Sequence, residues 1–207
     1  MKLLSILTQL VLVRLIAPGD FGLMATAGMV LGWMSIFQDL GLQQALITRK
    51  DRVDEAANCA FYMCIAMASA LVGGMFALAP LVGMFFRTDA VIPLLRFVAV
   101  RLIIASAAVV PTTLLEKDLQ FRKLVMPRVL GNVSFGIVAV FAAVSGFGVW
   151  SLASAAITQS CVETTAIWLT ARWYPRFGFD AKVASELLSY GKHVIVANLG
   201  TFLHRNV

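Results

Sequence analysis

Apolar stretches follow one another along nearly the whole chain, at residues 21–47, 56–86, 92–115, 124–144 and 149–171, with a few polar or turn-forming residues between them. A helix of about 20 mostly apolar residues crosses a bilayer. A chain built this way cannot bury all of that surface against itself. It must hand much of it to lipid. The composition agrees: 60% of the 207 residues are hydrophobic and 14% charged, where soluble domains carry about 45–50% and about 25%. The pattern predicts an all-α membrane protein.

The breaks between spans are chemically explicit. "APGDFG" (17–22) and "SGFG" (145–148) are turn sequences. "FRTDAVIP" (86–93) is a short turn, and "EKDLQFRKL" (116–124) is a charged connection. Residues 1–17 are short for a crossing, and Arg14 interrupts them. Lys2 before "LLSILTQLVLV" resembles the start of a signal peptide, but Arg14 stands where small cleavage-site residues belong. A first membrane helix missing its N-terminal part is the better reading. "RWYPRFGFD" (172–180) is aromatic and basic, as at a membrane interface. After Asp180, the spacing of Val183, Leu187 and Tyr190 predicts a short interfacial helix. Residues 191–207 begin a seventh span. The expected organisation is therefore a six-span bundle over 1–171, a linker with an amphipathic helix over 172–190, and a partial seventh span over 191–207.

The net charge of +6 does not signal a nucleic-acid partner, because the charges lie in loops between apolar spans and form no stripe. The second connection holds Arg49, Lys50 and Arg52; the fourth holds Lys117, Arg122 and Lys123; the sixth holds Arg172, Arg176, Lys182 and Lys192. The first and fifth hold no Lys or Arg, and the third only Arg87. The positive-inside bias puts the even connections and the N-terminus in the cytoplasm.

A carboxylate facing lipid costs about 2.5–3.5 kcal/mol on insertion scales, so charges at membrane depth must face the bundle or a wet cavity. At about 1.5 Å per residue, Asp39 lies roughly 27 Å along its helix from Phe21. A continuous helix puts Ser35, Asp39 and Gln43 on one face. The same arithmetic puts Arg101 about 15 Å into the fourth span and Glu163 about 21 Å into the sixth. Gln159 and Glu163 share a face. Arg101 can meet Asp39 or Glu163 if their helices adjoin, and ion pairing inside the bundle competes with a functional role. Arg14 and Arg96 are placed to snorkel outward. Cys59, Cys64 and Cys161 lack metal-ligand spacing and read as small hydrophobes. His193 and His204 read as interfacial or interhelical polar groups. There is no GxSxG, HExxH or P-loop, so the sequence argues against an enzyme and for no cofactor or metal.

Five motifs, in order, carry a resemblance: "LVRLIAPGDFGLMA", "FQDLGLQQALITRKD", "LLEKDLQFRKL", "GFGVWSLASAAI" and "ELLSYGKHVIVANL". Together they resemble the polysaccharide-exporter branch of the multidrug/oligosaccharidyl-lipid/polysaccharide (MOP) superfamily. The resemblance implies one lobe of a two-lobed transporter of 12 to 14 helices around a central cavity. It implies a lipid-linked oligosaccharide as cargo, carried on undecaprenyl pyrophosphate, a coupling cation (H+ or Na+), and a bacterial inner membrane. It implies cavity roles for Arg14, in "RLxxPxDFG", and Asp39, in "DLG"; Gln43, Arg101 and Glu163 complete the candidate set. Arg101 departs from the pattern, which has an uncharged residue there. The chain holds only the first lobe and the beginning of the second, so its expected partners include a missing second lobe or glycan-assembly proteins. A cation-coupled drug exporter, with a less cationic and more aromatic cavity, and a non-transporting scaffold are the competing readings.

Overall fold

The computed structural model describes residues 2–38, 41–49, 51–175 and 183–186. Among the described residues the chain is helical, without a strand. The helices are α1 (Lys2–Leu15), α2 (Pro18–Gln38), α3 (Leu42–Thr48), α4 (Val53–Phe86), α5 (Val91–Lys117), α6 (Phe121–Val144) and α7 (Val149–Ala171), with a further turn of helix at residues 183–186. Three of these, α4, α5 and α6, are long and apolar enough to cross a membrane. At 23 residues α7 has the length, but Ser, Thr, Gln and Glu side chains lower its hydropathy. α1, at 14 residues, is shorter than a crossing.

One expected element is divided. The stretch read as a single span over residues 21–47 forms two helices, α2 and α3. Gly41 stands before α3 with φ 69 and ψ 11, a left-handed backbone that interrupts a right-handed helix. Glycine adopts it without the steric cost of a Cβ. The stripe Ser35–Asp39–Gln43 therefore does not exist as one helical face: Ser35 belongs to α2 and Gln43 to α3. The other predicted ends hold to within about a turn of helix, and α7 spans residues 149–171 as read from the sequence. The partial seventh span and most of the interfacial helix lie outside the described residues.

α5 is the centre of the assembly, packing on α2, α3, α4, α6 and α7, while α1 packs on α6. Small side chains allow the close approach. Ala56, Ala57 and Ala60 of α4 meet Leu42, Ala45 and Leu46 of α3 in one buried cluster. Ala27 of α2, Ala79 of α4, Ala99 of α5 and Ala153 of α7 share a second. Between membrane helices, where lipid is as apolar as the helices themselves, this close packing supplies much of the association energy.

Long-range polar contacts gather the even-numbered connections at one end of the bundle. Lys117, in the last turn of α5, donates from Nζ to the carbonyl of Leu46 at 3.0 Å and to that of Arg49. It thus caps the carbonyl-rich C-terminus of α3, where a cation is favoured. Arg49 pairs with Glu186 at 3.0 Å, and Glu116 lies 3.9 Å from Arg128.

Candidate functional site

A cavity of about 200 Å³ opens where α3, α5 and α7 meet. Gln43 comes from α3, Arg101 and Thr112 from α5, and Ser160, Glu163 and Thr164 from α7; Ala105, Ala108, Val109 and Ile167 complete the wall. Three of the five residues singled out from the sequence thus face one space.

The two helices that form most of the wall are joined by a polar ladder. Arg101 Nε donates to Ser160 Oγ at 2.8 Å. Thr164 Oγ1 donates to the Ile104 carbonyl at 3.2 Å. Trp168 Nε1 donates to the Ala107 carbonyl at 3.0 Å. The rungs fall at 101, 104 and 107 on α5 and at 160, 164 and 168 on α7. These are steps of three and four residues, so each rung is one helical turn from the next. Numbering rises along both helices, as it must for parallel neighbours.

On α6, Gly131 is the point of close approach to this wall. A Cβ there would lie 3.2 Å from Glu163 Cβ and 3.4 Å from Gln159 Cγ. Beside it, Gln159 Nε2 donates to Asn132 Oδ1 at 3.2 Å. Glu163 is therefore backed by α6 on one side and lines the cavity.

The expected pairing of Arg101 with an acid is not found among the described residues. Arg101 and Glu163 line the same cavity, but no ion pair joins them, and the guanidinium is oriented by the hydroxyl of Ser160. With Nε engaged, its two Nη groups remain to serve a second partner. Asp39 lies outside the described residues. Arg14, in the last turn of α1, is exposed and does not line the cavity. Arg96 is not simply a snorkelling side chain: its Nη2 donates to the Phe76 carbonyl. The sequence reading missed Ser160, Thr112 and Thr164. The signal for two of them was present, since Ser160 and Thr164 stand at i and i+4 on the helix that carries Glu163.

A second, largely apolar crevice of about 620 Å³ runs between α1 and α6, lined by Val11, Val133, Gly136, Ile137 and Phe141, with Thr8 and Asn132 as its polar members. No group of three or more metal-ligating side chains occurs among the described residues.

Three helices long and apolar enough to cross a bilayer, with large apolar side chains left on the outer surface, mark a membrane protein. Residues 11–207 match the family described as "Polysaccharide biosynthesis protein", and the chain belongs to that family. It is 24% identical over 200 residues to the succinoglycan biosynthesis transport protein ExoT of Rhizobium meliloti, covering 97% of this chain and 40% of the relative. It is 24% identical over 178 residues to the teichuronic acid biosynthesis protein TuaB of Bacillus subtilis, covering 83% of this chain and 36% of the relative. The chain thus spans well under half the length of these relatives. No solved structure matches it. Family and relatives agree with the resemblance carried by the five motifs.

Proposed function

We propose that this chain forms the first lobe of an inner-membrane exporter that moves an undecaprenyl-pyrophosphate-linked oligosaccharide from the cytoplasmic to the outer leaflet. Residues 1–171 make six crossings of that lobe, residues 172–190 the cytoplasmic linker, and residues 191–207 the start of the second lobe. The even connections and the N-terminus face the cytoplasm, following the distribution of Lys and Arg.

The observation that carries this reading is the cavity between α3, α5 and α7, where Arg101, Gln43 and Glu163 converge. The Nη groups of Arg101, not engaged by Ser160, suit an anionic headgroup, which a planar fork can grip at two oxygens. Hydroxyl and amide groups around it suit a sugar. Glu163 balances the charge and offers a site for a coupling cation. Transport then follows by rocking of the two lobes about this site, with no bond made or broken.

The test is genetic and chemical together. In the native host, the chromosomal gene carrying Arg101→Ala is expected to abolish most surface polysaccharide and to leave lipid-linked oligosaccharide in the inner leaflet. Unchanged surface polysaccharide on deletion of the whole gene overturns the assignment.

A further inference from the structure

Pro111 lies inside α5 and is buried. It has no N–H, so the carbonyl of Ala107, four residues earlier, loses its helical donor. A membrane offers no water in exchange, and a neighbouring helix must supply the missing hydrogen bond. Trp168 of α7 does so, donating from Nε1 to the Ala107 oxygen at 3.0 Å. The indole is held in place by Phe61, with ring centroids 5.8 Å apart, and by Trp173 at 6.1 Å.

The position of this proline matters for the cavity. Ala108 and Val109 before it and Thr112 after it all line the wall. Beyond it, Lys117 grips the C-terminus of α3 through two carbonyls, and α3 carries Gln43 into the same cavity. At its other end α3 is separated from α2 by the left-handed Gly41. Two backbone breaks, at Gly41 and Pro111, therefore bound one unit: α3 together with residues 112–117. The unit rests on a face of α4 that includes Ala56, Ala57 and Ala60, and the pairs Arg49–Glu186 and Glu116–Arg128 tie its ends to neighbouring segments. The short alanine side chains at that face permit the small shear by which packed helices shift.

We propose that Trp168 is a latch on a hinge at Pro111, and that its release lets α3 and residues 112–117 move away from α7, widening the cavity. Arg101, Ser160 and Glu163 stay with the fixed wall, while Gln43 and Thr112 travel with the moving one. The two sides of the site thus separate as the latch opens. This device is independent of what the cavity carries.

The experiment uses Thr112→Cys in a Cys161→Ser background, with Cys59 and Cys64 buried, reacting in detergent micelles with a polar maleimide. Trp168→Phe keeps a ring and removes the donor; it is expected to raise the labelling rate several-fold. Pro111→Ala restores a backbone N–H for the Ala107 carbonyl. It is expected to label more slowly than the parent, and Trp168→Phe added to it should change the rate little. Phe61→Leu loosens the ring packing but keeps the indole donor, and it should leave the rate near the parent value. The latch is overturned if Trp168→Phe accelerates labelling equally with and without Pro111, if it has no effect beside the proline, or if Phe61→Leu reproduces it.

Discussion

Arg96 of α5 donates from Nη2 to the carbonyl oxygen of Phe76 in α4 at 3.2 Å, and Phe76 stands four residues before Pro80. That oxygen is the one Pro80 leaves without a helical donor. The guanidinium also lies over the Phe76 ring, 5.8 Å from its centroid. A charge at membrane depth is here the repair of a broken helical turn.

Removing this donor leaves the Phe76 carbonyl without a partner in a helix with no N–H to offer it. Arg96→Met is expected to lower stability by about 1–3 kcal/mol in denaturant titrations of the detergent-solubilised protein. In a Pro80→Ala background the added N–H takes over, and the same substitution should cost clearly less. An equal cost in both backgrounds would detach Arg96 from the proline.

Gly131 is where α6 meets Glu163. Gly131→Ala places a Cβ at 3.2 Å from Glu163 Cβ, so a small shift of α7 accommodates it. Gly131→Val adds two methyl groups at a contact already that tight, and overpacking of this kind costs about 1–3 kcal/mol. Thermal melts should rank the native protein above Gly131→Ala and both above Gly131→Val. Equal melting temperatures for Gly131→Val and the native protein contradict the close approach.

Orientation follows from loop charge and can be read by labelling. In a Cys161→Ser background, Arg52→Cys and Leu119→Cys should react from the cytoplasmic side of sealed vesicles. Thr88→Cys and Phe147→Cys should react from the opposite side. Labelling of Leu119→Cys from outside reverses the proposed topology, and labelling of Arg52→Cys and Leu119→Cys from different sides breaks the shared basic end.

Arg101 separates a cargo contact from a structural one. Lysine retains the charge but cannot bond Ser160 through Nε while presenting a planar fork. Arg101→Lys should keep part of polysaccharide export in the native host and Arg101→Ala little, with normal protein levels in both. If Arg101→Ala instead depletes the protein, and Glu163→Gln added to it restores level and export, the arginine serves to neutralise the Glu163 carboxylate.

Much of the fold is legible in the order of the residues. The limits of α7 at residues 149 and 171, the turn at "SGFG" and the charged link after Glu116 follow from where apolar runs stop. Local chemistry decides those points: a bilayer crossing needs an unbroken apolar run, and turns need Gly or polar residues. Gln43, Arg101 and Glu163 stand out because a polar group at membrane depth is costly anywhere in such a chain. The sequence alone did not determine what each polar group met. Arg101 meets Ser160 and, among the described residues, no acid, Arg96 meets the carbonyl freed by Pro80, and Trp168 meets the one freed by Pro111. Nor did the periodicity reveal that Gly41 divides one apolar run into two helices, since an apolar run reads the same through a bend. These contacts join residues 20 to 61 positions apart in the chain. Only the packing order of the helices chooses among partners that share a depth in the membrane, because depth is set by distance along one helix and neighbours are set by all of them.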